Sequence, residues 1–277
     1  MLALSAVAVS ASVTVPALPS AGAALEMVVL VPGDYDEDRD ILPTDPGTTP
    51  TPDPTLTSAP TPPSANLQLG SPASFKLRTW SNGVVARWNP CAVIHYRVNL
   101  KYAPVSAMRD ITAAAARISS VTGMTFRYDG TTTVIPQRGY GSSATVGHYP
   151  PVIIAWAKRG SGIGSSNVIT SADALGVGGS SGLWWRTSAG VSHAVRSVTG
   201  MVVMNSAFNT QMPAGFAPTI GGARGGVLLH ELGHVVGLDH VDDITQEMNP
   251  IAIDRSSYGN GDVAGLRKLG VRAGCLN

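Results

Sequence analysis

The sequence predicts a mixed α/β (α+β) domain, in which helices pack on a twisted mixed sheet. Short alternating or continuous apolar runs, typical of strands, occur together with a stretch that has the 3.6-residue apolar spacing of an amphipathic helix. Their order, strand–helix–strand–strand, favours helices packed on a sheet. Hydrophobic residues make up 44% of the 277 residues and charged residues 13%. This composition excludes wholesale disorder and a nucleic-acid binder built on a broadly basic chain.

The predicted elements begin at residue 94. A strand over 94–99 alternates apolar and polar residues, with Ile94, Tyr96 and Val98 on its buried face. A helix is predicted from about Pro104 to Thr122, because proline lies near its start, apolar residues recur at helical spacing and a glycine follows it. Further strands are predicted at residues 125–128, 152–157 and 198–205.

Residues 160–182 contain seven glycines and many serines. No Gly-Lys-Ser/Thr ending follows them, so the segment does not have the pattern of a phosphate-binding loop. We expect a long surface loop here. It should border an edge strand around Ala174, Leu175, Gly176, Val177 and Gly178.

The first 65 residues differ in composition from the rest of the chain. They hold eight acids and one base (net −7), whereas residues 66–277 hold ten acids and 18 bases (net +8). Residues 1–25 resemble a secretory signal peptide, and an uncleaved membrane anchor is the alternative. Residues 26–65 are acidic and then rich in Pro and Thr, which predicts a disordered linker before a domain at 66–277. Both interpretations place that domain outside the cytoplasm, either secreted or held at a membrane or cell wall.

The strongest functional signal is the pattern His-Glu-x-x-His-x-x-Gly-x-x-His, formed by His230, Glu231, His234, Gly237 and His240. The first two histidines are four residues apart, so on a helix their imidazoles project from one face and can share a Zn²⁺ ion. The glycine can end the helix in a left-handed conformation, and the last histidine can then approach as a third ligand. Three neutral nitrogens leave a position for water, which is typical of one catalytic zinc ion.

The pattern from His230 to His240 matches the metzincin motif at every fixed position, and the chain is most similar to the matrixin branch of these zinc metalloproteases. Metzincins carry a methionine turn beneath the zinc, and Met248 lies eight residues after His240. The resemblance covers roughly residue 88 to the C-terminus. It implies a twisted mixed five-stranded sheet with two long helices, then a small C-terminal subdomain with the Met-turn and a final helix around 261–266.

The resemblance implies a zinc endopeptidase that is secreted or held at the cell surface. Glu231 would be the general base that takes the proton of the zinc-activated water and passes it to the leaving amine. A protein or peptide substrate would lie extended along the edge strand near 174–178, because main-chain pairing tolerates diverse side chains. The resemblance also assigns residues 249–260 to the wall of the main specificity pocket. A monomer without a nucleic-acid partner is expected.

Several features leave alternatives open. Asn249 stands where matrixins usually have a tyrosine, and no second zinc or calcium constellation is visible. Tyr258 could supply a helper hydroxyl or simply pack. Two other functions remain as alternatives. The first is a non-catalytic surface-binding module on a Pro/Thr stalk, and the second is a zinc amide hydrolase that acts on cell-wall peptides.

Cys91 and Cys275 are the two cysteines, near the two ends of the predicted domain. In an exported protein, one intradomain disulfide is the expected state. The alternative is that Cys91 occupies the zinc position as a latency switch, as in matrixin propeptides. Its sequence setting lacks the propeptide pattern and runs directly into the first predicted strand.

Overall fold

The computed structural model describes residues 29–31, 69–79, 83–141, 144, 147–185, 194–219, 221–252, 255 and 257–276. The predicted signal peptide or anchor at 1–25 lies outside these residues. So does the predicted linker at 26–65, apart from residues 29–31. In the ranges that are described, no helix has the length and apolar character needed to cross a membrane.

The described residues form short and long strands and three α-helices. In chain order they are β1 (Val29–Val31), β2 (Lys76–Leu77), β3 (Ala86–Trp88), β4 (Ile94–Asn99), α1 (Ala107–Thr122), β5 (Phe126–Thr131), β6 (Val152–Arg159), β7 (Ser165–Ser166), β8 (Gly176–Trp185), β9 (Ala194–Asn205), α2 (Arg224–Val236), β10 (Leu238–Asp239) and α3 (Asn260–Leu269).

The main sheet has the order β1-β8-β9-β6-β4-β5, with β3 beside β9 and β7 beside β6. Strands β9, β6, β4 and β5 run parallel to one another, whereas β8 is antiparallel to β9. Neighbouring parallel strands need a crossover, which α1 supplies between β4 and β5. The predicted mixed α/β fold is confirmed. The five expected strands, β8, β9, β6, β4 and β5, are neighbours in the sheet, and the short strands β1, β3 and β7 pair with members of this set.

Helices α1 and α2 pack on one face of this sheet and form the main core with it. Ile94, Tyr96 and Val98 point into that core, as their alternation predicts. Helix α1 begins at Ala107, three residues after the predicted start, because Ser106 just before it has a φ of 69°. All residues of α2 are buried. The helix that carries the motif is therefore held by packing on every side.

Two segments differ from the sequence-based expectation. The edge strand expected around residues 174–178 is present as β8, but it continues to Trp185 through residues that were expected to lie in a surface loop, and the residues from Gly176 to Leu183 are buried. Residues 29–31, inside the range predicted as linker, form β1 and pair with residues 182–184 of β8. Both differences come from pairing between residues far apart in sequence, which composition does not reveal.

The C-terminal end of the chain is fastened beside the start of the sheet. Cys91 and Cys275 form a disulfide with a Cα–Cα distance of 5.4 Å. The side chain of Asn89 donates to the carbonyl of Leu276 at 3.0 Å and accepts from its backbone N–H at 3.2 Å. Cys91 is therefore engaged in this bond and not directed at the histidine motif.

Candidate metal centre

The structure brings the side chains of His230, His234 and His240 together at one point. Their Nε2 atoms form a triangle with sides of 3.0, 3.1 and 3.1 Å. The first two residues lie on α2. The third reaches the site because the chain turns at Gly237, which has a φ of 122° and donates to the carbonyl of Gly233. This is the convergence that the motif predicts.

Backbone carbonyls set the tautomer of two of these rings. Nδ1 of His230 lies 2.6 Å from the carbonyl oxygen of Glu247, and Nδ1 of His234 lies 2.9 Å from that of Leu238. A carbonyl oxygen only accepts, so both Nδ1 atoms must donate, and in a neutral ring Nε2 then carries a lone pair and no proton. Two such lone pairs facing each other at 3.0 Å repel, unless a cation lies between them.

The donor set fits zinc. Tetrahedral Zn²⁺ with nitrogen ligands at about 2.0–2.1 Å requires nitrogen–nitrogen separations of about 3.3–3.4 Å, close to the observed triangle. Histidine ligands commonly donate their second N–H to a carbonyl, as two of these do. Among the described residues, these three histidines are the only group of three or more His, Cys, Asp or Glu side chains close enough to hold a metal ion.

Glu231 lies on α2 next to the first histidine and is completely buried. Its side chain faces β8: a Cβ added to Gly176 would lie 2.7 Å from Oε1, and one added to Gly178 would lie 2.3 Å from the Glu231 backbone oxygen. The two glycines therefore allow β8 and α2 to approach closely. The structure thus brings the proposed base against the strand that the sequence identified as a candidate for substrate pairing.

Ala174, Leu175 and Val177 are buried together with these two glycines. In the described residues, β1 pairs only with the far end of β8, and no strand pairs with the outer edge of Gly176–Ser181. The role of this strand in substrate binding remains a prediction.

Met248 lies directly beneath the histidine helix. It is 1% exposed, and a Cβ on Gly233 would lie 2.5 Å from its sulfur. Gly233 stands between the two helical ligands, so the thioether packs under the part of α2 that carries them. The assignment of Met248 as a Met-turn methionine remains a prediction from the resemblance.

Asp262 on α3 holds the turn that carries this methionine. Its carboxylate accepts hydrogen bonds from the N–H groups of Glu247 at 2.6 Å, Gly259 at 2.9 Å and Met248 at 3.4 Å. Burial raises the pKa of Asp262 from 3.8 to about 6, and the hydrogen bonds oppose that rise. Because the carbonyl of Glu247 accepts from His230, Asp262 helps to position this ring through the turn.

Tyr258 packs beneath α2. Its hydroxyl donates to the carbonyl of Leu229 at 2.8 Å, and the residue is 4% exposed. Burial raises its pKa well above the ordinary value of 10. A packing role for Tyr258 therefore fits the structure better than the role of a helper hydroxyl.

A small cavity opens beside His230. Part of its wall is formed by Asn249, Ile251, Ala252 and Arg255, which belong to the segment 249–260 that the resemblance assigns to the specificity pocket. The remaining lining residues are Gly222, Gly226, Val227 and Glu247. The assignment of this segment to a specificity pocket remains a prediction.

Sequence reasoning missed the supporting residues of the site. Asp262 was visible only as an acidic residue in the first turn of the final helix, a common capping position that predicts no long-range contact. Trp88, whose Nε1 donates to the carbonyl of Val235 at 2.7 Å, gave no signal at all. Both act on the ligand-bearing helix or turn across large sequence separations.

No protein-family model matches the chain, and no curated protein sequence matches it significantly. Among solved structures, the chain is similar to High choriolytic enzyme 1 (HCE-1), a hatching enzyme zinc-protease from Oryzias latipes (Medaka fish), with 14% sequence identity and a TM-score of 0.24. The match covers 63% of this chain and 54% of that chain, about half the length of the hatching enzyme. A likeness at this level does not establish a common family, so the functional argument depends on the site.

Proposed function

We propose that this protein is a zinc-dependent endopeptidase of the metzincin type, most like the matrixin branch, that acts outside the cytoplasm on proteins or peptides. The observation that carries the proposal is the convergence of three Nε2 atoms within 3.0–3.1 Å of one another, on rings whose Nδ1 atoms donate to carbonyls. The spacing of eight residues from His240 to Met248 supports the matrixin branch.

His230, His234 and His240 would hold the ion. Bound zinc would supply Lewis acidity, which polarises the scissile carbonyl and lowers the pKa of a water at the site. Glu231 accepts the proton of the attacking water and delivers it to the leaving amine. Its burial against β8 restricts the position of the carboxylate, so the same position serves to accept the proton from the water and to deliver it to the amine.

The disulfide supports an oxidising compartment, since such bonds persist mainly in exported proteins. We propose secretion or attachment to the cell surface, with residues 1–25 as signal peptide or anchor. An attachment to membrane or cell wall would act through the N-terminal segment, and the catalytic domain would be monomeric.

The proposal is tested by incubating the full chain with a diverse peptide library and identifying the products by mass spectrometry. We expect internal cleavage that stops when a zinc chelator is added and resumes when zinc is restored. The matched control is Glu231→Ala, which should bind zinc with unchanged stoichiometry and produce no new peptides. Cleavage by that variant at the wild-type rate would refute the role of Glu231. Cleavage of cell-wall peptides but of no library member would favour the amide-hydrolase alternative.

A further inference from the structure

A second cavity, of about 400 Å³, lies at the start of the parallel strands. His95 and Arg97 line it, and they alternate with the β4 residues that point toward α1 and α2. Successive side chains of a strand point to opposite faces, so the cavity lies on the face of the sheet away from these helices. It shares no lining residue with the cavity beside His230. It is therefore separate from the metal centre.

A β-bulge in β9 turns Arg196 toward this cavity. Ser181 pairs with Thr199 and Gly182 with Ser197, so Val198 is an extra residue in β9. One extra residue reverses the alternation of the strand beyond it. Arg196 therefore projects from the face away from α1 and α2, and it lines the cavity.

Asp129 on β5 lies at the same cavity. Arg127 pairs with His95, and Asp129, two residues further along β5, lies on the same face of the sheet. The Asp129 carboxylate lies 2.6 Å from Nδ1 of His95 and accepts from Nε of Arg127 at 3.0 Å. Its negative charge is thus already engaged. β-Bulges such as the one that redirects Arg196 are common next to active sites.

The two arginines leave positive charge at the cavity. The side chains of Arg97 and Arg196 have no hydrogen bond or ion pair with any described residue. A guanidinium presents paired N–H donors that match the two oxygens of a carboxylate. The rest of the lining includes apolar and aromatic surface from Val93, Tyr149 and Pro150. The cavity thus combines a charged end with an apolar wall, as small-molecule sites commonly do.

We propose that this cavity binds a carboxylate that is carried on an apolar or aromatic body. Arg97 and Arg196 bind the carboxylate, the His95–Asp129 pair completes the polar end, and the apolar wall receives the body. The proposal is independent of the zinc site, because it invokes no residue of that site.

The test is calorimetric titration of the full chain with N-acetylphenylalanine, with N-acetylphenylalanine amide as the neutral control. We expect saturable binding of the acid at one site and at least tenfold weaker binding of the amide. Arg97→Gln and Arg196→Gln should each weaken binding about tenfold, since each removes a charge-assisted hydrogen bond. Arg272→Gln removes an exposed charge outside the cavity lining and should leave binding unchanged.

Three results would overturn the proposal. The first is equal binding to the wild type and to both cavity variants, or no saturable binding at all. The second is binding that disappears with a zinc chelator and ignores the arginine substitutions, which would place the carboxylate at the metal. The third is an affinity for inorganic phosphate equal to that for N-acetylphenylalanine, because the apolar wall would then contribute nothing to binding.

Discussion

Substituting Gly176 by alanine tests whether β8 positions the proposed base. The new Cβ would lie 2.7 Å from Oε1 of Glu231 and 3.1 Å from its Cδ and Cγ, whereas ordinary van der Waals contact begins at 3.4 Å. The carboxylate would therefore have to retreat by about 0.7 Å. A displacement of about 1 Å can lower a catalysed rate about 100-fold, so we expect Gly176→Ala to lose about 10- to 100-fold in turnover. Zinc content should not change, because no imidazole is displaced.

The assay compares initial rates on one peptide from the library, the zinc content of the protein and its thermal unfolding. Gly162→Ala is the matched control, because a Cβ there meets nothing within 4 Å, and it should behave as the wild type. Gly178→Ala would place its Cβ against the backbone of Glu231 and should instead destabilise the fold by about 1–3 kcal/mol. Full turnover by Gly176→Ala, or loss of its zinc, would refute the reasoning.

Three further predictions concern stability. The disulfide links residues 184 positions apart, so the double variant Cys91→Ser/Cys275→Ser should lose up to about 5 kcal/mol of unfolding free energy in urea; an unchanged midpoint would contradict this. In the folded protein Asp262 keeps its proton up to about pH 6, whereas in the unfolded chain it loses the proton near pH 3.8. Its contribution to the free energy of unfolding should therefore fall by about 3 kcal/mol as the pH rises from 3.8 to 6. The Asp262→Asn variant should lack this pH dependence of the unfolding free energy. An equal pH dependence in the wild type and the variant would contradict the prediction. Removing zinc with a chelator should lower the unfolding temperature, and His240→Ala should abolish most of this response.

The local part of the site could be predicted from the sequence because its ligands lie within eleven residues. Helical spacing alone puts two imidazoles on one face, and one glycine accounts for the turn that returns His240. The first helix was predictable for a similar reason, since its apolar positions recur within a single continuous segment. Both features depend on residues that are close together along the chain, so the sequence alone is enough to predict them.

The rest depends on contacts between distant segments. Nothing in the glycine-rich stretch indicates that Gly176 lies against Glu231, because the close approach exists only after β8 pairs with β9 and α2 packs on both. The bulge that turns Arg196 toward the cavity, and the pairing of β4 with β5 that brings Asp129 to His95, are likewise set by strand register. The pairing of β1 with β8 was hidden for the same reason, since the composition around residues 29–31 indicated a linker.

The disulfide encloses nearly the whole domain, including the three histidines, Glu231 and the Met-turn. With the proposed activity the protein would be exposed to cleavage by its own copies, and a cut between Cys91 and Cys275 would leave the two fragments covalently joined. Nicked molecules would therefore keep the mass of the intact protein plus one water and would migrate as a single chain until a reductant is added. Electrophoresis with and without reductant would thus separate self-digestion from loss of activity by other routes.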